Sequence, residues 1–116
     1  MHMIHFNLLL RRPTSLKDVI HRITANPRIA LTGKKSSASV FSFGRDHGLF
    51  GRILNQTVVA LQSLTLRGDR ELVGMCFTPQ DGNSLMSSIA VALWFLDAGS
   101  YKQRLAVLGD YFFQEI

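Results

Sequence analysis

The sequence contains few of the features that mark several large protein classes. It has a single cysteine, Cys76, among 116 residues, so no disulfide can form within the chain. No apolar run approaches the roughly 20 residues that a membrane-spanning helix needs, and no signal peptide is evident. These absences exclude a disulfide-stapled scaffold and a helical membrane protein, and they predict a cytoplasmic protein with no membrane partner.

Acidic residues are also scarce. Eight Asp and Glu stand against 13 Lys and Arg, which gives a formal net charge of +5. This balance favours anionic partners, namely phosphorylated metabolites, nucleotides or nucleic acid, without choosing among them. The basic residues are spread over predicted helices and turns, and no solvent-facing aromatic pair marks a strand as a platform for stacking bases. A solvated basic face is therefore favoured over nucleic-acid binding.

Apolar residues, by contrast, are plentiful. They make up 47% of the chain, which is enough for a core without metal or disulfide support. We find no repeats, no low-complexity region and no linker. Residues 1–116 are therefore predicted to form one domain.

The chain is organised around a predicted β-hairpin followed by its most apolar helix. Two strand-like runs, 61–66 and 72–77, flank a turn at 67–70 in which Gly68 suits the first position of a two-residue type II′ loop. Pro79 ends the second run, and Asp81 or Asn83 can cap a helix that begins near Ser84. This helix is apolar nearly all round, so it must be covered on both sides or leave a surface for a partner.

Local patterns predict the remaining elements. Residues 3–12 alternate as a strand, and Thr14 or Ser15 caps a helix with Leu16, Val19 and Ile23 on one face. A short strand at 28–32, a helix at 38–45, a strand at 57–66 and a last helix at 101–116 complete the chain. The order βαβαββαα predicts an α+β fold with helices packed on a mixed or antiparallel sheet.

Few side chains form an obvious reactive group. His2 and His5 are three residues apart on a predicted strand, so they face opposite sides and are not expected to share a metal. Cys76 lies inside a predicted strand with no nearby cation, which indicates a buried structural thiol. The turn that begins Gly33-Lys34 partly matches a phosphate-binding loop, but Arg28 stands where that motif needs glycine, so a solvated turn is favoured.

Four segments in succession resemble a known family. They are His2-Met3-Ile4-His5, Pro13-Thr14-Ser15-Leu16-Lys17-Asp18-Val19-Ile20, Asn26-Pro27-Arg28-Ile29-Ala30-Leu31 and Gly68-Asp69-Arg70-Glu71-Leu72. In order and spacing the chain resembles the C-terminal half of archaeal-type (type II) glyceraldehyde-3-phosphate dehydrogenase, over essentially all 116 residues. The resemblance implies a catalytic-domain sheet, with last helices that pack on a nucleotide-binding domain.

The resemblance also implies a chemistry. Enzymes of this glycolytic family are oxidoreductases that oxidise and phosphorylate an aldehyde through a cysteine thioester, and NAD or NADP accepts the hydride. A histidine assists the nucleophile, and His2 is the matching position, with His5 as the competing candidate. Gln80 matches an amide near the nicotinamide. The implied partners are a phosphorylated aldehyde substrate and further copies of the chain in an oligomer.

The family's dinucleotide-binding unit and its nucleophilic cysteine both precede the matched region, and Cys76 is not at the nucleophile position. We therefore expect the isolated chain to bind no cofactor and to be inactive, as a fragment or truncated relative of such an enzyme. Two other hypotheses remain open. One is a non-catalytic homodimerising module that associates through the apolar surfaces around Trp94 and Phe112. The other is a basic nucleic-acid-binding domain.

Overall fold

The computed structural model describes residues 1–80 and 84–116. Nine helices and strands of this part of the chain are named here in chain order: β1 (His2–Leu9), α1 (Leu16–Thr24), β2 (Ile29–Thr32), α2 (Ser37–His47), β3 (Thr57–Ala60), β4 (Thr65–Arg67), β5 (Glu71–Thr78), α3 (Leu85–Leu96) and α4 (Tyr101–Leu105). Two 3₁₀ turns, Leu61–Ser63 and Ala106–Tyr111, follow β3 and α4. Within the described residues, no helix combines the length and apolar character needed to span a membrane.

The strands form one mixed sheet, which confirms the α+β prediction. Its order is β1-β5-β3-β2, and β4 pairs with β5 beside β3. Strand β5 is antiparallel to β1, β3 and β4, whereas β2 runs parallel to β3. The predicted order of elements also holds, except that the strand expected at 57–66 is divided into β3 and β4.

Ser63 explains this division. The 3₁₀ turn at Leu61–Ser63 interrupts the strand, and the Ser63 hydroxyl donates a hydrogen bond of 2.7 Å to the Ala60 carbonyl. The same hydroxyl accepts the backbone N–H of Met75 on β5 at 2.8 Å. The Ser63 side chain thus supplies the partner that this backbone N–H of β5 would otherwise lack. The break in the strand therefore costs little free energy.

The predicted hairpin is present, but its turn differs from the type II′ expectation. Arg67 lies opposite Glu71, so three residues rather than two form the loop, and Gly68 has a positive φ of 60°. The Asp69 carbonyl of this loop accepts the N–H of Thr14 at 2.8 Å. The Arg70 carbonyl likewise accepts the N–H of Leu10 at 2.8 Å. The longer loop is therefore accompanied by hydrogen bonds to the residues that follow β1. The local sequence does not predict these hydrogen bonds.

The two faces of the sheet carry separate apolar clusters. Helix α1 begins at Ser15, whose hydroxyl accepts the N–H of Asp18 at 3.1 Å, and it packs over the first cluster: Val19, Val59, Leu64, Leu72 and Cys76. Helix α2 packs over the second, on the opposite face: Ala30, Val40, Ile53, Val58, Phe77 and Ile116. Of the two predicted caps, Thr14 and Ser15, Ser15 is the one that caps α1, and the predicted apolar face of this helix is confirmed.

The last helix is much shorter than the predicted 101–116. After α4 and the 3₁₀ turn, the chain becomes extended and lies along the outer edge of β2. The Leu31 N–H donates to the Gln114 carbonyl at 3.0 Å, and the Ile116 N–H donates to the Leu31 carbonyl at 2.8 Å. The prediction was wrong here because the free edge of β2 supplies backbone partners that compete with a continued helix.

Helix α3 leaves most of its apolar surface uncovered by the described residues. It packs on α4 and buries Met86, while Trp94, Phe95 and Leu96 are 50%, 78% and 73% exposed. The predicted caps of this helix, Asp81 and Asn83, lie outside the described residues. Of the two outcomes expected for an all-round apolar helix, a surface free for a partner is the one observed.

Candidate functional site

The pairing of β1 with β5 brings together two candidate residues that are distant in the sequence. His2 lies opposite Thr78, the last residue of β5, and Gln80 follows two residues later. Pro79 is buried at this point and ends the ladder, because it has no N–H to donate. His2 and Gln80 therefore belong to the same corner of the sheet, and both are exposed.

The two histidines lie on opposite faces of β1, as their spacing predicts. His2 shares a face with Ile4 and Phe6, on the side of α1, and His5 lies opposite Met75 on the other side. Both side chains are exposed. Among the residues that the structure describes, no group of three His, Cys, Asp or Glu residues could hold a metal ion.

Gln80 lines a small cleft at this corner, with a volume of about 90 Å³. Met1, Phe41, Arg52, Ile53 and Pro79 lie around it. His2 does not line the cleft: its side chain lies on the α1 face of β1, whereas the cleft, with Phe41 of α2 and Ile53, lies on the α2 face. The volume is far below the roughly 300–1,000 Å³ of ordinary ligand sites. It fits a carboxamide or a phosphate group, and not a whole dinucleotide.

Arg52 is the cleft residue that sequence reasoning missed. It closes a tight turn in which Phe50 and Gly51 have positive φ values of 49° and 73°. The Arg52 N–H donates to the Leu49 carbonyl at 3.0 Å, and its guanidinium donates to the Phe50 carbonyl at 3.2 Å. The cleft thus combines the carboxamide of Gln80 with a cation. The sequence feature that could have indicated this turn is the pair of glycines, Gly48 and Gly51, just before an arginine.

Cys76 lies away from this corner, inside β5 opposite Ile4. Its side chain is buried, as predicted, and burial raises the pKa of its thiol. Because the thiolate is the reactive form of cysteine, this thiol is a poor nucleophile at neutral pH. Cys76 therefore has the properties of a packing residue.

The turn before α2 shows no phosphate-loop geometry. The Ser36 hydroxyl caps the helix by accepting the N–H of Ser39 at 3.2 Å, so a side chain occupies that donor. The ammonium of Lys34 lies 5.1 Å from the centre of the Phe43 ring, in a cation–π contact. The backbone N–H at the start of α2 and the Lys34 ammonium, which gave the partial match to a phosphate-binding loop, thus both have structural partners. This agrees with the predicted turn.

No protein-family model matches this sequence, and no curated protein is significantly similar to it. The interpretation of the site therefore depends on its geometry and on the resemblance of its sequence segments.

Proposed function

We propose that this chain is the C-terminal catalytic-domain portion of a phosphorylating glyceraldehyde-3-phosphate dehydrogenase of the archaeal type. The complete protein would be a cytoplasmic, oligomeric enzyme that oxidises a phosphorylated aldehyde with NAD or NADP. One observation carries the proposal: the register of β1 on β5 brings the backbones of His2 and Gln80 to the same corner of the sheet. The resemblance assigns to His2 assistance of the nucleophile and to Gln80 a position near the nicotinamide.

Each residue of the corner has a chemical role in this proposal. The imidazole of His2 takes the proton of a cysteine thiol supplied from outside this chain, and His5, which lies three residues further along β1 from the corner, is assigned no role. The Gln80 side chain holds a carboxamide by paired hydrogen bonds. Arg52, in the same cleft, attracts the phosphate of the substrate or inorganic phosphate.

The nicotinamide cofactor, when bound, accepts the hydride. The cleft fits the carboxamide end of such a cofactor and no more, given its volume of about 90 Å³. Binding of the remainder requires the nucleotide-binding domain, which the resemblance places before this region. The proposal therefore assigns no cofactor and no activity to the isolated chain.

The gene tests this proposal directly. We expect the reading frame to continue upstream of Met1 for about 200 codons, the length of one or two domains. That segment should encode a Gly-rich strand–turn–helix and a cysteine at the start of a helix. An in-frame stop codon immediately upstream would overturn the proposal.

The complete enzyme then tests the residues. His2→Asn should lower kcat by about 100-fold or more, because a general base is lost. Gln80→Ala should raise the KM for the nicotinamide cofactor. His5→Asn is the matched control, with the same chemical change on the opposite face of β1, and it should leave both constants unchanged. A larger effect at His5 than at His2 would reverse the assignment.

A second candidate, a homodimerising module, is favoured by the exposed surface of α3. Trp94 and Phe95 pack edge to face with ring centres 5.3 Å apart, and both remain at least half exposed. Phe112, which the sequence had placed on the same surface, is only partly exposed and lies beside Pro27 and Phe113. The proposed contact between two copies is therefore centred on Trp94 and Phe95.

A further inference from the structure

A large groove lies on the α1 side of the sheet, apart from the corner of His2 and Gln80. Its volume is about 720 Å³, within the range of roughly 300–1,000 Å³ that is usual for small-molecule sites. Helix α1 packs against β2, and the groove opens between α1 and the sheet, from Phe6 and Leu8 of β1 to Ile29 of β2. The groove is therefore bounded by α1 on one side and by β1 on the other.

The interior of the groove is apolar. Val59, Leu72 and Cys76 form its floor, and each is less than a tenth exposed. Phe6 and Leu8 of β1 form one wall. Leu8 is 50% exposed, because no described residue covers it from above. A ligand with an apolar body would gain free energy by removing this surface from water.

The charged residues of the groove have one sign. Arg11 and Arg12, in the connection between β1 and α1, line the groove, and so does Arg22 in the last turn of α1. No acidic residue is among the lining residues. Arg11, Arg12 and Arg22 are all exposed. Their guanidinium groups can therefore reach an anion in the groove.

We propose that this groove binds an anionic amphiphile: an alkyl chain that lies on the apolar floor, with a carboxylate head held by the consecutive residues Arg11 and Arg12. The charge complementarity selects an anionic head, and the apolar floor selects the alkyl body. The proposal is independent of the dehydrogenase assignment, since the groove shares no lining residue with the cleft of Gln80.

The alkyl part of the ligand predicts a dependence of affinity on chain length. Burial of each additional methylene should tighten binding about fourfold until the groove is filled. We would compare octanoate with decanoate by titration calorimetry, below their critical micelle concentrations. Equal affinities for the two would contradict binding along the apolar floor.

The head predicts a dependence on the arginines. Arg11→Gln and Arg12→Gln should each weaken decanoate binding about three- to tenfold, because a charge-assisted hydrogen bond at an exposed site is lost. Arg104→Gln, on α4 and outside the groove, makes the same change in net charge and should have no effect. Decanol should bind more weakly than decanoate. Equal binding of decanol, or unchanged affinity in the arginine variants, would overturn the assignment of the head.

Variants of two neighbouring leucines test where the ligand binds. Leu8 lines the groove, whereas Leu9 points to the opposite face of β1 and is 77% exposed. Leu8→Trp should obstruct the groove and reduce decanoate affinity at least tenfold, while Leu9→Trp should not change it. Equal effects of both variants would place the ligand elsewhere.

Cys76 supplies a second readout of position. Because its thiol lies on the groove floor, bound decanoate should slow its modification by N-ethylmaleimide, measured at alkaline pH where the thiolate forms. Phe95→Ser, on the exposed surface of α3, should alter neither the affinity nor this protection. Decanoate binding without protection of Cys76, or the absence of any binding, would overturn the proposal. The second result would leave an acidic protein segment as the occupant to test.

Discussion

The side chain of Gln56 and the backbone of Phe113 form two hydrogen bonds in opposite directions. The Phe113 N–H donates to Gln56 Oε1 at 3.0 Å, and Gln56 Nε2 donates to the Phe113 carbonyl at 2.7 Å. The same amide nitrogen also donates to the Pro27 carbonyl at 3.1 Å. Gln56 is 1% exposed, so one buried side chain joins the C-terminal tail to the start of β2 and β3.

Gln56→Leu should therefore destabilise the fold by about 2–4 kcal/mol, because it leaves buried backbone groups without partners. Urea denaturation of this variant would measure the loss. Gln103→Leu is the matched control, since Gln103 is exposed on α4, and its stability should change by less than about 0.5 kcal/mol. Equal stability of the two variants would mean that the tail is not held by Gln56.

Gly48 should be intolerant of any side chain. A Cβ at this position would overlap the carbonyl oxygen of Arg52 and lie 2.5 Å from that of Gly44, and both are backbone atoms that cannot move aside freely. We expect Gly48→Ala to cost about 3 kcal/mol, which thermal denaturation would detect. Gly33→Ala meets no atom within 4 Å and should be nearly neutral. A neutral Gly48→Ala would contradict the close turn that places Arg52 in the cleft.

The exposed surface of α3 should control self-association. Trp94→Ala and Phe95→Ala should shift a dimer toward monomer in sedimentation experiments while the free energy of unfolding changes by less than about 1 kcal/mol, since neither residue is buried. Phe112→Ala, which removes a partly buried ring, should instead lower stability. A sedimentation profile that Trp94→Ala and Phe95→Ala both leave unchanged would exclude this surface as the interface.

The Cys76 thiol should respond to pH in a characteristic way. Burial raises its pKa, so the protonated thiol is the form that the folded state favours. The stabilisation that the protonated thiol contributes is fully present below the ordinary thiol pKa. It is lost as the pH rises through the higher pKa of the folded state. Cys76→Ala should therefore lose less stability above pH 9 than the parent protein does. Parallel pH profiles would contradict this assignment.

The elements that were predicted correctly are those whose interactions join residues close together in the sequence. Ser15 and its helix were predictable because a hydroxyl three residues before its N–H partner is a local arrangement. The hairpin was predictable from two apolar runs around Gly68, although its loop length was not. The strand at 57–66 was predicted without its break, because the role of Ser63 depends on Met75 of another strand.

The candidate site was predictable only in part. The resemblance named His2 and Gln80, but the sequence contains no sign that β1 and β5 pair in the register that makes them neighbours. Arg52 was missed because its position depends on the positive φ angles of the preceding turn. The arginine-lined groove, likewise, exists only once α1 and β1 have been placed on the same face.

By itself, the sequence determined the α+β class, the order of the elements and the excess of apolar surface on α3, since each follows from periodicity and turn residues. Tertiary structure alone decided which strands pair, where the tail ends and which side chains share a cleft. The physical reason is that the partners of β5, Gln56 and Arg52 come from distant parts of the chain, and local preferences carry no information about such contacts.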